Sequence, residues 1–277
     1  METIQLTVDK QKDNEKIYSQ AVDLLNQGEV VAFPTETVYG LGAVATNEEA
    51  VKKIYEAKGR PSDNPLIVHI GTIEEVQNYI EEIPERAKQL MERFWPGPLT
   101  LIMKAKKGVL AKSVTAGLTT VGLRMPDHEV ALELLRALKK PVAAPSANRS
   151  GKPSPTKAEH VYEDLQGRIP LILDGGTTGI GIESTVLDVT VNPPVILRPG
   201  GVTKEMLEEV IGEVFQPTPK EETLDSTPKA PGMKYTHYAP EAPVYLIDND
   251  RSKVEQAIEE LQRNGHIVAL LAPSTYV

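Results

Sequence analysis

One polar turn after a buried strand constrains the fold of this 277-residue chain most strongly. The apolar run from Val30 to Phe33 predicts a buried strand, which Pro34 ends. A hydroxyl-rich turn, from Thr35 to Tyr39, follows directly. Ligands of open α/β sheets bind beyond the carboxyl ends of strands. The pattern therefore predicts an α/β protein with a binding site at this turn.

Two cations are predicted to face that turn. Asn47 is placed to cap an amphipathic helix from Glu48 to Ala57, and Lys58 and Arg60 follow it. Cations are also common at the C-terminal ends of helices without any binding role, because each stabilises the helix by roughly 0.3–1 kcal/mol through the helix dipole. A second polar turn, Ala144 to Gly151, follows another short apolar strand. We expect the two turns to face one pocket.

Three motifs together resemble those of the threonylcarbamoyl-AMP synthase family, whose core is the YrdC-like α/β domain. They are the Pro-Thr-x-Thr-x-Tyr-Gly-Leu turn that starts at Pro34, the pair Lys58-x-Arg60 and the pair Ser146-x-Asn148. The resemblance implies a YrdC-like twisted open mixed sheet with helices. It extends over residues 1–215, which we interpret as the catalytic domain.

Two further parts follow this domain in the sequence. Residues 216–243 contain six prolines and little apolar periodicity, which is typical of a linker, and we expect it to close over the site as a lid. Residues 244–277 predict a strand from Val244 to Ile247, a helix from Lys253 to Arg263 and a strand from Ile267 to Leu271. So short a segment cannot bury its own core. We interpret it as the incomplete start of a small Rossmann-like C-terminal domain, which the long form of the family carries.

Composition excludes several classes of protein. The net charge of −9 argues against a broad nucleic-acid surface. The absence of cysteine excludes disulfides, cysteine-bound zinc and thiol nucleophiles. The amino terminus has neither a signal-peptide core nor the roughly 20 apolar residues of a membrane span. We therefore expect a cytoplasmic protein with no membrane contact.

The sequence does not match the familiar nucleotide-binding and metal-binding motifs. The glycine-rich stretch 174–185 lacks the third glycine of a dinucleotide fingerprint and lies between strands, and Gly151-Lys152 lacks the rest of a P-loop. The five histidines show no metal-ligand spacing, so no protein-bound metal is predicted. His69 interrupts the apolar run Leu66 to Ile70, where local sequence alone favours a half-buried structural histidine.

The resemblance implies a reaction and a set of residues for it. The family condenses L-threonine, bicarbonate or CO2 and ATP to L-threonylcarbamoyladenylate and pyrophosphate, for the threonylcarbamoyladenosine modification of tRNA. By matching position it assigns the catalytic role beside the phosphates to Lys58. It assigns L-threonine to Thr37, His69, Arg124, Ala144 and Ser184. It assigns ATP to Arg60, Asn64, Thr120, Ser146, Ser154, Arg198 and Tyr235. Mg²⁺ is expected on the phosphates of ATP.

Two other functions are alternatives to a threonylcarbamoyl-AMP synthase. One is a carbamoyl-adenylate-handling relative, as in hydrogenase maturation, although the acylphosphatase and zinc-finger segments of such proteins are lacking here. The other is a non-catalytic nucleotide- or RNA-binding module, which the negative charge disfavours. The tRNA threonylcarbamoyl-transferase machinery is the expected downstream partner. Direct tRNA contact and oligomeric state are left open by the sequence.

Overall fold

A computed structural model describes residues 1–9, 11, 13–217, 242–248 and 250–272. Its strands are β1 (Ile4–Thr7), β2 (Val31–Phe33), β3 (Gly40–Val44), β4 (Ile67–His69), β5 (Leu99–Lys104), β6 (Thr120–Arg124), β7 (Val142–Ala143), β8 (Leu171–Asp174), β9 (Thr185–Asp188) and β10 (Val195–Arg198). Its helices are α1 (Glu15–Asn26), α2 (Glu48–Lys58), α3 (Val76–Tyr79), α4 (Glu85–Phe94), α5 (Lys112–Thr115), α6 (Glu129–Leu138), α7 (Ala158–Leu165), α8 (Lys204–Ile211) and α9 (Arg251–Arg263). The chain divides into two compact units, residues 1–238 and 239–277.

The first unit is built on one mixed sheet, which confirms the predicted α/β class. The strand order is β1-β8-β2-β3-β7-β4-β6-β5-β9-β10. Pairs β1–β8, β2–β8, β4–β6 and β5–β9 are parallel, and the other neighbours are antiparallel. Helices pack on this sheet; for example, α1 and α6 share an apolar cluster with β2 and β8. None of the described helices is long and apolar enough to cross a membrane.

Strand β3 is an element that the sequence did not predict. It pairs with β2 on one side and β7 on the other. Gly42 lies so close to its neighbours that a Cβ atom there would be 2.6 Å from Val142 Cγ1 and 2.7 Å from Phe33 Cε1. Glycine weakens a strand in isolation but permits this close approach. Tertiary packing therefore forms a strand that local propensity does not favour.

Helix α2 has the ends that its sequence predicts. The Asn47 side chain accepts a hydrogen bond from the backbone N–H of Ala50, which caps the first turn. Gly59 ends the helix in the left-handed conformation with φ of 62°, which glycine adopts without strain. Both signals are local, so the boundaries could be predicted without tertiary information.

The second unit differs from its prediction. Its helix α9 is confirmed, and Asp250 caps it by accepting hydrogen bonds from Ser252 and Lys253. The two strands predicted at 244–247 and 267–271 are wrong, because the described residues there are not paired in a sheet. A strand requires a hydrogen-bonded neighbour, and Leu246 is fully exposed instead. Residues 218–241 of the predicted linker lie outside the described residues, and the predicted domain boundaries stay predictions.

Candidate active site

A cavity of about 450 Å³ lies at the junction of the two predicted polar turns. Its walls contain charged, hydroxyl and apolar side chains together with exposed backbone. The lining residues are Thr35, Thr37, Val38, Gly40, Arg60, Ile67, His69, Arg124, Ala144, Pro145, Ser146, Ile182, Glu183, Ser184, Arg198, Pro199 and Gly200. Eight of the predicted site residues are in this set, so one cavity brings together residues from several separate stretches of the first unit.

The position of the cavity differs from the one expected from strand ends alone. Ile67 and His69 stand at the two ends of the short strand β4, and both line the cavity. Strand β7 is antiparallel to β4, so Ala144 lies beside Ile67 and not beside His69. Residues two apart on a strand point to the same face, so Ile67 and His69 place the cavity over one face of the sheet.

The parallel register of β4 and β6 brings two distant side chains together. His69 pairs with Arg124 in that register, although the two lie in separate motifs of the sequence. The Phe33 ring stands edge-on to the imidazole of His69, with ring centroids 6.1 Å apart. His69 Nδ1 is buried and makes no hydrogen bond with the described residues. The hydrogen-bonding capacity of this buried nitrogen is therefore unsatisfied within the described residues.

Arg124 is held by backbone and side-chain acceptors. Its Nε donates to the carbonyl oxygen of Gly97 at 3.3 Å, and its Nη2 donates to Thr37 Oγ1 at 3.1 Å. Nη2 also lies 2.6 Å from Glu36 Oε1. The Thr35 hydroxyl in turn contacts Thr37 Oγ1 at 2.9 Å and donates to the carbonyl of Val38 at 2.7 Å. The polar turn after β2 is therefore a rigid support for Arg124.

Arg198 stands at the end of β10 and reaches back to the start of β9. Its Nε and Nη2 donate to the carbonyl oxygen of Ser184 at 3.1 and 2.9 Å, and Nη2 donates to Ser184 Oγ at 3.1 Å. Ser184 Oγ also lies 2.8 Å from Thr100 Oγ1. The antiparallel pairing of β9 and β10 creates this arrangement, because it places the start of one strand beside the end of the other.

Lys58 does not line the cavity. Its side chain is buried, with 3% exposed, and its Nζ donates to the carbonyl oxygens of Ser146 and Asn148 at 2.5 and 2.6 Å. Asn148 Oδ1 lies 3.4 Å away. Burial and then the charge of Arg60 lower the pKa of Lys58. Three oxygen acceptors nevertheless require the three N–H groups of an ammonium, so we assign Lys58 as protonated.

Four other predicted residues lie outside the cavity wall or outside the described chain. Asn64 is buried, and its Oδ1 makes no hydrogen bond with the described residues. Thr120 begins β6, whose other end carries Arg124. Ser154 donates to Glu183 Oε1 at 2.5 Å, so it reaches the cavity through a neighbour. Tyr235 lies outside the described residues.

The cavity is positively charged, and its histidine is neutral. Burial, and next the charge of Arg124, lowers the pKa of His69 to about 3. Burial also lowers the pKa of Arg198 to about 10; the Glu183 carboxylate opposes this shift, and the charges of Arg124 and Arg60 add to it. The guanidinium groups remain charged at neutral pH while the imidazole is uncharged. The cavity therefore suits an anionic ligand.

Several lining residues were not predicted as site residues. Each of them lies within two positions of a predicted residue in the sequence: Thr35, Ile182, Glu183, Pro199 and Gly200. Their proximity along the chain was the available signal, but a turn does not reveal which of its side chains face inward. The stretch 174–185 covers one side of the first turn, because Ile180 N–H and Gly181 N–H donate to backbone oxygens of that turn.

The chemistry available in this cavity is the binding of several anionic groups together. Arg60, Arg124 and Arg198 supply three fixed positive charges. Thr37 and Ser146 supply hydroxyl groups, and His69 supplies a neutral imidazole. Such a set can grip carboxylate and phosphate groups, for which guanidinium is the preferred partner. The described residues contain no cluster of three or more acidic or histidine side chains that could hold a metal by themselves.

Comparisons with known proteins match both parts of the chain. A family model described as "Telomere recombination", for the Sua5, YciO and YrdC proteins, matches residues 23–200. A second model, described as "Threonylcarbamoyl-AMP synthase, C-terminal domain", matches residues 202–276. The first match spans every residue of the cavity wall.

Individual relatives agree with these models. The threonylcarbamoyl-AMP synthase of Bacillus subtilis strain 168 is 56% identical over 263 residues, which cover 95% of this chain and 76% of the relative. The threonylcarbamoyl-AMP synthase of Pyrococcus abyssi is 53% identical over 261 residues, with 92% and 76% covered. A crystal structure of P. abyssi Sua5 complexed with L-threonine superposes with a TM-score of 0.89 at 51% identity, covering 95% of this chain and 78% of that one.

Proposed function

Because the chain belongs to the threonylcarbamoyl-AMP synthase family, we propose that the arginine-lined cavity is the site where it condenses its three substrates. The chain is an enzyme of this family, which uses L-threonine, bicarbonate and ATP to form L-threonylcarbamoyladenylate and pyrophosphate. Neither a hydrogenase-maturation relative nor a non-catalytic binding module is favoured. The convergence of three arginines and a neutral histidine in one cavity is the observation that supports our assignment of the site.

We place L-threonine against Arg124. The Nη1 group of Arg124 can donate charge-assisted hydrogen bonds to the α-carboxylate, and the carbonyl of Gly97 and the hydroxyl of Thr37 already orient the guanidinium. His69 lies beside Arg124, lines the cavity and is neutral, so its imidazole can face a hydroxyl or amine of the substrate without repelling a cation. A crystal structure of P. abyssi Sua5 complexed with L-threonine is consistent with an amino-acid site in this fold.

We place the triphosphate of ATP between Arg60 and Arg198. In the reaction, the carbamate oxygen formed on the threonine nitrogen attacks the α-phosphorus, the bond to the bridging oxygen breaks, and pyrophosphate leaves. Both reacting groups are anionic, so their approach requires fixed positive charge and accurate placement more than acid–base chemistry. We assign the remaining ATP contacts to Ser146, Ser154 and Asn64. Thr120 and Tyr235 stay predictions for the same ligand.

Lys58 takes a different part in this proposal from the one its motif predicts. It is buried under the second polar turn and saturated by oxygen acceptors of Ser146 and Asn148. We propose that it acts through that turn, by fixing the position of Ser146 beside the cavity. Its charge also adds to the positive field felt by the phosphates. Direct contact with a phosphate would require it to exchange at least one of these acceptors.

Mg²⁺ carried by the phosphates fits the residues of the cavity. Mg²⁺ keeps several waters and is commonly bound through one or two carboxylates together with substrate phosphates. Glu183 is the carboxylate in the described cavity wall, and it is the residue that would hold the ion. The ion would supply further neutralisation of phosphate charge. The tRNA threonylcarbamoyl-transferase machinery as consumer of the adenylate, and a cytoplasmic location, stay predictions.

The proposed function is tested by measuring pyrophosphate release while each substrate is left out in turn. We expect release only when L-threonine, bicarbonate and ATP are all present. The adenylate should be detected by mass spectrometry in the same reactions. Equal pyrophosphate release without L-threonine would instead indicate simple ATP hydrolysis, and would contradict the proposed reaction at this site.

A further inference from the structure

The ion pair between Glu36 and Arg124 is almost completely buried. Arg124 Nη2 and Glu36 Oε1 are 2.6 Å apart, and only 5% and 11% of the two side chains are exposed. Both carboxylate oxygens of Glu36 are buried and make no well-aligned hydrogen bond with the described residues. Loss of one partner from such a pair leaves an uncompensated buried charge, which is strongly unfavourable. The two side chains therefore depend on each other.

Glu36 contacts Arg124 without forming part of the cavity wall. Its neighbours Thr35 and Thr37 line the cavity, but Glu36 does not. The backbone around it is fixed, because its carbonyl oxygen accepts a hydrogen bond from Ile180 N–H at 2.8 Å and that of Thr37 accepts one from Gly181 N–H at 3.0 Å. A carboxylate held in this way supports Arg124 from outside the space that a ligand would fill.

The contacts of Arg124 leave one end of its guanidinium unused by the described chain. Nε is directed to Gly97, and Nη2 is shared between Thr37 and Glu36. Nη1 has no hydrogen bond or ion pair with any residue that the structure describes. Since Arg124 lines the cavity, Nη1 is the group that remains for a ligand.

We propose that Glu36 is the positioning residue of the amino-acid carboxylate subsite, where it orients Arg124 and balances its charge so that Nη1 faces the α-carboxylate of the substrate. This inference rests on the proposed function, which takes Arg124 as the partner of that carboxylate. Arg60 and Arg198 share the cavity, so an uncompensated Arg124 would be repelled by two like charges. Glu36 allows all three arginines to stay in place before any anion binds.

If Glu36 instead competed with the substrate for Arg124, its removal would change the affinity for L-threonine in the opposite direction. If its carboxylate occupied the place of the substrate carboxylate, its removal would free Arg124 and tighten the binding of L-threonine. The positioning role predicts weaker binding instead, because Arg124 would then have to be ordered at the expense of binding free energy. The direction of the change in affinity therefore separates the two roles.

The test compares L-threonine with L-threoninamide, which lacks the carboxylate, by isothermal titration of the full chain. In Glu36→Gln we expect the Kd of L-threonine to rise by about tenfold, a modest value for truncating one partner of a buried charge pair. The Kd values of L-threoninamide and ATP should change little, so the preference for the carboxylate falls. The control is Glu29→Gln, which removes the ion pair of Glu29 with Lys53 at 2.6 Å, away from the cavity.

The possible results of this titration separate the positioning role of Glu36 from its alternatives. Unchanged or tighter L-threonine binding in Glu36→Gln would overturn the positioning role. If Glu36→Gln does not fold, Glu36→Asp, which keeps the charge on a shorter side chain, is measured in the same way: a reduced preference for the carboxylate supports the role and an unchanged preference overturns it. If the native chain itself does not distinguish L-threonine from its amide, the placement of threonine on Arg124 fails, which is a failure of the proposed function instead.

Discussion

The Nζ atom of Lys58 lies 2.6 Å from the carbonyl oxygen of Asn148, although 90 positions separate the two residues. The contact joins the end of helix α2 to the second polar turn. In addition, the backbone N–H of Ser150 donates to the carbonyl oxygen of Lys58 at 2.9 Å. The two motifs Lys58-x-Arg60 and Ser146-x-Asn148 are therefore one structural unit beside the cavity.

We predict that Lys58→Met destabilises the protein by about 2–4 kcal/mol, because buried carbonyl oxygens lose their donor and keep their desolvation cost. A cation that only complemented the helix dipole would contribute roughly 0.3–1 kcal/mol, but Lys58 is buried against carbonyl oxygens and should contribute more. Urea denaturation measures the change. The control is Lys52→Met on the same helix, where the side chain is 49% exposed and we expect a change within about 0.5 kcal/mol. Equal midpoints for the two variants would contradict the structural role.

We predict that Arg124→Lys raises the KM for L-threonine far more than the KM for ATP. A lysine keeps the charge but lacks the rigid planar fork of donors with which Arg124 contacts Gly97, Thr37 and the ligand at the same time. Steady-state pyrophosphate release, with each substrate varied in turn, measures the difference. Arg136→Lys on the exposed face of α6 is the control and should change neither constant. A rise confined to ATP would assign Arg124 to the other substrate.

We predict different kinetic signatures for the two arginines assigned to ATP. Arg60→Ala should raise the KM for ATP and leave that for L-threonine nearly unchanged, since we assign Arg60 to the phosphates alone. Arg198→Ala should impair both, because Arg198 also fixes Ser184, which is assigned to L-threonine. The same two-substrate kinetics distinguish the variants. Identical profiles for both would show that Ser184 does not depend on Arg198 for its position.

The sequence predicts helix boundaries well where the signals are local. Asn47 and Gly59 define α2 through a cap and a left-handed turn, and both follow from residue type. Strand β3 could not be predicted in this way, because its glycines are required by contacts with β2 and β7 that only the fold reveals. Likewise, the strands expected at the carboxyl end of the chain are absent from the described residues because a strand needs a neighbour.

In the site, too, local features could be predicted from the sequence and long-range contacts could not. Residue types and motif spacing predict Arg60, Arg124 and Arg198 as anion-binding groups, and the structure brings them into one cavity. Neither the burial of Lys58 nor the pairing of Glu36 with Arg124 has a local signal, since each depends on a partner distant in sequence. The burial of His69 depends in the same way on β6 and β7, which flank its strand.

We predict that the buried, neutral state of His69 makes stability depend on pH in the acid range. Its pKa is about 3 in the folded protein and 6.5 in the unfolded chain, so the unfolded chain binds more protons between these values. The free energy of unfolding should therefore fall as the pH drops below about 6.5, with a contribution of up to about 1.4 kcal/mol per pH unit. Urea denaturation of the native chain and of His69→Gln between pH 7 and 4 isolates this contribution. Parallel pH curves for the two proteins would contradict it.

The central claim, that the arginine-lined cavity holds both L-threonine and ATP, is tested most directly by a crystal structure of this chain with L-threonine and a non-hydrolysable ATP analogue. We predict that the threonine carboxylate contacts the guanidinium of Arg124 and that the phosphates lie between Arg60 and Arg198. The threonine nitrogen should point toward the α-phosphate. A structure with either ligand bound elsewhere on the chain, and the cavity empty, would contradict the account.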